Sequence, residues 1–178
     1  MKVQVTYDGV MTEPKWLDGN EQQAWLSLLA VSKLLDTALD RQLQRDSGIS
    51  HVTYIILSVL SNSPDATMSM TTLANLTNSS QSRISHAVAR LEQRGWITRA
   101  RPVTSRRLVL ATLTPVGLEV LVRAAPGHVA MVRKLVFDPL TSAQVSALRA
   151  VNSAILGALD AEGHSYQGPV DLRPDASS

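Results

Sequence analysis

The chain has 178 residues, 44% of them hydrophobic, 18% charged and none cysteine. That length suits one domain with a sizeable core, and the lack of cysteine excludes disulfides, thiolate metal sites and thiol redox sensing, as fits a cytoplasmic protein. Net charge is only +2, no apolar run approaches bilayer length, and no basic segment followed by an apolar core marks a signal peptide, so no membrane partner is expected.

Residues 1–19 read as an N-terminal arm in which Val3, Val5 and Tyr7 alternate, as a short strand or a loose segment would. From Asn20 to Arg45 the residues Leu28, Val31, Leu35, Ala38 and Leu39 follow helical spacing, and Gly48 ends the helix. The next helix carries the stripe Val52, Ile55, Ile56, Val59 and Leu60, and Pro64–Asp65 mark a turn. Ser69 caps a short helix with Leu73, Ala74 and Leu76. After a T-N-S-S turn, Ser79 or Ser80 caps a helix that buries Ile84, Val88 and Leu91 and stops at Gly95. Trp96–Arg101 and Arg107–Leu113 are extended and joined by residues 102–106, a hairpin. Thr114 caps the following helix with Pro115 at its first position. Pro126–Gly127 should kink or break it before it continues through Val129, Val132 and Leu135. Thr141 and Gln144 form a capping box that opens a last helix with Leu148, Val151, Ile155 and Leu159. Residues 163–178 are polar, bear Pro and Gly, and read as a flexible tail.

A short helix, a tight turn and a polar-faced helix make a helix-turn-helix, and the hairpin after it is a wing. The fold class is therefore mainly α: a winged helix-turn-helix lobe over 49–114, with helical regions at 20–48 and 115–162 that are expected to be dimerisation helices, because the Leu148, Val151, Ile155 and Leu159 stripe has little of its own domain to pack against.

Charge is concentrated on that lobe. Ser79 to Arg107 holds seven arginines (83, 90, 94, 99, 101, 106 and 107) against one acid, Glu92, a net charge of +6 on a chain whose remainder sums to −4. Such a segment is an electrostatic footprint for a polyanion, with double-stranded DNA the leading partner. With Ile84 facing the core, Ser82 and His86 point the opposite way, Arg83 and Arg90 flank that face on one side and Ser85 on the other, and Ser80 and Gln81 stand at the helix start. A recognition helix reads bases mainly through its first turns. Gln pairs with adenine, Arg pairs with guanine, and small Ser allows close approach. A solvated amphipathic helix would also be polar, but such faces normally mix Glu with Lys. Arg101, Thr104, Arg106 and Arg107 lie at or near the hairpin tip, where arginine suits a narrow minor groove, although a charged tip also protects a sheet edge from aggregation. Arg99, nearer the base, is either a phosphate contact or a structural ion-pair partner.

With the order of elements, the segments A-V-A-R-L-E-Q-R-G-W-I-T-R and R-L-V-L-A-T-L-T-P-V-G resemble the MarR family of winged-helix transcription regulators, over roughly Gln22 to Leu159. Of the family's wing pattern D-x-R-x-x-x-V-x-L-T, Arg107, Leu113 and Thr114 match, while Ser105 replaces the Asp and Ala111 the Val. The resemblance implies a homodimer formed by the first and last helices, a near-palindromic operator, and a cleft between dimer helices and DNA lobe that binds small, often aromatic effectors. His51 and Tyr54, with Trp25 and His128, are the candidates to line that cleft; a packed Tyr54 and a solvent- or phosphate-facing His51 are the plainer alternatives.

The chain carries no H-E-x-x-H, no P-loop and no dinucleotide glycine fingerprint, and its four histidines are scattered. No enzyme activity, metal or cofactor is expected. The leading function is a dimeric, sequence-specific DNA-binding repressor relieved by a small ligand. The alternative is a winged helix that binds a protein or acts as a scaffold, which would have no need of seven arginines.

Overall fold

Each of the six helices begins on a residue that accepts a hydrogen bond from its first turn, the local rule that fixes where helices start. In the computed structural model, which describes residues 15–77, 79–102 and 108–164, α1 (Gly19–Ser47) opens on a reciprocal pair. Asp18 Oδ1 accepts from Glu21 N at 2.8 Å, and Glu21 Oε2 accepts from Asp18 N at 2.9 Å. This D-x-x-E box places the start one residue before the expected Asn20. Helix α2 (His51–Ser61) is capped by Ser50, and α3 (Met70–Leu76) by Ser69. Ser80 rather than Ser79 caps α4 (Gln81–Gln93), Thr114 caps α5 (Pro115–Val132), and Thr141 with Gln144 completes the capping box of α6 (Ser142–Ala161).

The chain forms two compact units, Met1–Thr37 and Ala38–Ser178. In the second, one core gathers Leu43 of α1, Ile56, Leu57 and Leu60 of α2, Leu73 of α3, Ile84, Val88 and Leu91 of α4, and Val120, Leu121 and Ala124 of α5. The wing closes it: β2 (Ile97–Ala100) and β3 (Leu110–Leu113) pair antiparallel with Ile97 opposite Leu113, both buried. A third strand that sequence periodicity did not suggest, β1 (Thr67–Ser69), pairs with the other edge of β3, giving the order β1-β3-β2. Thr67 and Thr112 join across it, hydroxyl to hydroxyl, at 2.8 Å. The strand enters from a tight turn in which Asp65 and Ala66 both take positive φ (52° and 49°) and Thr67 N–H donates to Pro64 O.

The Pro126–Gly127 break does not occur. Helix α5 runs unbroken through Pro126 to Val132, and a five-residue π segment, Arg133–Phe137, follows. Proline removes a single i→i−4 bond, which the flanking turns tolerate here. The apolar residues of the terminal helices are the other departure from a self-contained domain. Leu28, Val31 and Leu34 of α1 and Leu148, Val151, Ile155 and Leu159 of α6 are exposed, α6 burying no residue at all. The expected arm (1–14) and tail (165–178) lie outside the described residues, and no helix among the described residues is long and apolar enough to cross a membrane.

Candidate nucleic-acid interface

The amphipathicity of α4 decides which of its residues are available. Ile84, Val88 and Leu91 recur at helical spacing and are buried, which turns Gln81, Ser82, Arg83, Ser85, His86 and Arg90 outward. Ser80 is exposed too, but its hydroxyl accepts from Arg83 N at 3.3 Å, so that lone pair is committed to the helix start. No acid stands in the first turn, where the helix dipole already favours an anion. The turn before α4 is held by Ser79 N–H donating to Ala74 O (3.0 Å) and the Ser79 hydroxyl donating to Thr77 O (3.1 Å).

Of the five described arginines, two have structural partners. Arg99, on β2, donates from Nε (2.9 Å) and Nη2 (2.5 Å) to Glu92 Oε2, while its backbone N–H donates to Oε1 (3.2 Å). The pair clamps β2 to the end of α4 and holds the Glu92 carboxyl below its ordinary range, the Arg99 hydrogen bond being the main cause. Arg99 is therefore the ion-pair partner of its two readings. Arg94 lies over the Trp96 ring, 4.9 Å from its centroid, a cation–π arrangement. Arg83, Arg90 and Arg101 remain exposed, with no carboxylate partner among the described residues. The segment's one acid is thus consumed at the wing base, and the face from α4 to β2 is left basic. Thr104, Arg106 and Arg107 lie outside the described residues.

The wing base is tied to α5 as well. Thr114 N–H donates to Trp96 O (3.0 Å), its hydroxyl donates to Gly95 O (2.7 Å), and that same hydroxyl accepts from Gly117 N (3.1 Å). Gly95 takes φ +71°, the left-handed conformation that ends α4 and turns the chain into β2.

This architecture is shared with known proteins. The model of the MarR family matches residues 47–108. A MarR family transcriptional regulator from Streptomyces coelicolor, Sco3205, solved in complex with DNA, is 46% identical over 83% of this chain and 92% of its own, with a TM-score of 0.78. The chain belongs to the MarR family. AbsC, a second MarR family regulator from S. coelicolor, is 36% identical over 83% of this chain and 99% of its own, with a TM-score of 0.76. BldR from Sulfolobus solfataricus, at 24% identity and a TM-score of 0.66, shares the fold. No curated protein matches the chain by sequence.

This MarR-family chain has a second cluster of candidate residues, away from α4. The α2 face carrying His51 and Tyr54 is not turned to solvent, because α5 packs on it. The Tyr54 ring meets His128 of α5 at 4.1 Å between centroids, tilted by 37°, and His51 stands 5.7 Å from His128. Three of the four proposed cleft residues therefore come together. Trp25, half exposed, lies on the part of α1 that belongs to the Met1–Thr37 unit. Burial pushes the Tyr54 hydroxyl up and, with the neighbouring His51, pulls the His128 imidazole down, so His128 favours its neutral form. Asp40 Oδ1 accepts from His51 N–H at 2.9 Å and anchors the start of α2.

Gln42, which no sequence motif singles out, is the one buried polar residue among the described residues. It sits three and four residues beyond Leu39 and Ala38, on the apolar stripe of α1, and is buried beside Gly127. A lone polar residue in register with an apolar stripe was the signal available for it.

Proposed function

We propose that this protein is a homodimeric repressor that binds a near-palindromic DNA site through α4 and the wing and is released by a small ligand. The observation that carries the reading is the outward face of α4: Gln81, Ser82, Arg83, Ser85, His86 and Arg90, with no carboxylate among them. The DNA complex of Sco3205 supports it. Gln81, Ser82 and Arg83 enter the major groove first, with Ser85 and His86 one turn on. Ser80 and Arg90 sit at its edges. Arg101, Thr104, Arg106 and Arg107 meet phosphates and the minor groove. The exposed apolar stripes of α1 and α6 are covered by the second copy, because so much leucine, valine and isoleucine on two helices is unusual for a monomer. The ligand lies at His51, Tyr54 and His128, which one unit brings together.

The test is the specificity ratio. Affinities for a selected duplex and a random duplex are measured at one salt concentration for Gln81→Ala, Arg83→Ala and His86→Ala. A lost base contact costs roughly 1–3 kcal/mol on the cognate site and little on the random one. At least one variant should collapse the ratio with its helical content intact. Wild-type ratios for all three would refute α4 as the reader and favour a protein-binding module. Light scattering showing a monomer at micromolar concentration would refute the dimer.

A further inference from the structure

Glu92 is the single acid between Ser79 and Arg107, and it stands in the last turn of α4. A carboxylate on a face that meets DNA repels phosphate, so its place there calls for a reason. Its three bonds all go to one residue. Oε2 accepts from Arg99 Nε and Nη2, and Oε1 accepts from the Arg99 backbone N–H. Strand β2 is an edge of the sheet, and Glu92 supplies an acceptor that its outer side lacks. The pair thus fixes β2 to α4 and cancels the Arg99 charge together. Arg94 differs: stacking on Trp96 restrains its side chain and leaves its charge whole. Arg101, two residues past Arg99, is exposed and has no carboxylate partner among the described residues. Arg99 is therefore the one described arginine of this segment that a carboxylate neutralises. The Arg99 hydrogen bond also holds the Glu92 carboxyl below its ordinary range, so the cancellation persists at neutral pH.

Resting on the DNA reading above, we propose that Glu92 is a specificity-determining residue, which withholds Arg99 from the phosphate backbone and fixes the wing against α4. Phosphate contacts attract every sequence alike. Random DNA is held almost entirely by such contacts, whereas a cognate site also needs α4 and the wing in one fixed relation. Cancelling Arg99 therefore takes more from the random complex than from the cognate one. Glu92 acts through Arg99 and touches no base.

The test is the salt dependence of DNA binding by the full-length protein, on a selected duplex and a random duplex of equal length. Glu92→Gln removes the charge and keeps an oxygen that accepts from Arg99. Both partners are a third exposed, so the variant keeps its fold. On the random duplex Glu92→Gln should bind more tightly than wild type. The slope of log affinity against log salt should steepen by about 0.9, so that a fourfold rise in salt shrinks the gain by about threefold. The selected duplex should gain less, and the selected-to-random ratio should fall by roughly threefold at the lowest salt, the factor of one such contact over that range. Adding Arg99→Gln to Glu92→Gln should return the slope to that of wild type. Glu162→Gln removes the same charge at the end of α6 and should leave the slope unchanged. A merely structural clamp would weaken both duplexes with no change of slope. That result, a steep slope that survives Arg99→Gln, or a steeper slope with Glu162→Gln would overturn the proposal. Wild-type protein that binds neither duplex refutes the DNA reading itself, and this inference with it.

Discussion

Replacing Gly117 by alanine tests how the wing is held. Gly117 lies in the first turn of α5, and a methyl there would stand 2.2 Å from Trp96 O and 2.8 Å from Leu113 Cδ1. The first of these is backbone, already bonded to Thr114 N at 3.0 Å, so it cannot rotate away as a side-chain tip would. Relief requires α5 or the entry to β2 to shift. Overpacking of this kind costs roughly 1–3 kcal/mol, and losing the Thr114–Trp96 bond adds roughly 1 kcal/mol. Alanine's better helix propensity returns roughly 1 kcal/mol. Gly117→Ala should therefore destabilise by about 1–3 kcal/mol, and in a chain of this length each kcal/mol lowers Tm by about 2–4 °C. Calorimetry at one fixed protein concentration reads this, because assembly contributes to apparent stability. The same variant should lose DNA affinity while retaining the His128–Tyr54 ring contact. A Tm equal to or above wild type would show that the α5–wing junction has slack the geometry denies.

Glu92→Gln should loosen β2 from α4 at a cost below about 1 kcal/mol, since both partners are a third exposed; hydrogen exchange at the β2 amides should rise while α2 is unchanged. The lowered Glu92 carboxyl makes its contribution present above its ordinary value of 4.5 and lost as pH falls below it, so the wild-type excess in urea midpoint over Glu92→Gln should vanish in acid. His128 works in the same direction at a higher pH: the fold favours its neutral form, the unfolded chain binds the proton more readily, and stability declines as pH drops below about 6.5. His128→Phe should flatten that decline in a Tm–pH profile. Ala66→Gly relieves a left-handed alanine, worth roughly 1–2 kcal/mol, against roughly 0.5–1 kcal/mol of added chain entropy; unfolding free energy raised by about 0.5–1 kcal/mol, read from the urea midpoint, is expected, and a lowered midpoint would contradict the positive φ.

What could be read from the chain is what neighbouring residues settle between themselves. Ser69, Ser80, Thr114 with Pro115, Thr141 with Gln144, and Gly95 each act within four residues, and each stands where expected. The outward face of α4 followed from Ile84, Val88 and Leu91 alone. What escaped depends on partners far along the chain. Thr67–Ser69 is too short to show alternation and becomes a strand only through β3. Arg99 could not be assigned from spacing, because the turn at Gly95 is what brings it to Glu92. His128 looked isolated in sequence and acquires His51 and Tyr54 only when α5 lies on α2. No break follows at Pro126 because an eighteen-residue helix absorbs the loss of one i→i−4 bond in its adjoining turns.

Helix α5 carries both Gly117, pressed on the wing base, and His128, pressed on Tyr54. At 100° per residue the eleven steps between them return to within about 20° of the same azimuth, some 16 Å along the axis. The two contacts are thus made by one edge of one rod. At the wing end the clearance is already less than a methyl group, so the rod has no room to turn there without taking Trp96 and β2 with it. A roll of α5 at the His128 end is therefore carried to Trp96 and to β2, the strand that bears Arg99 and leads to Arg101.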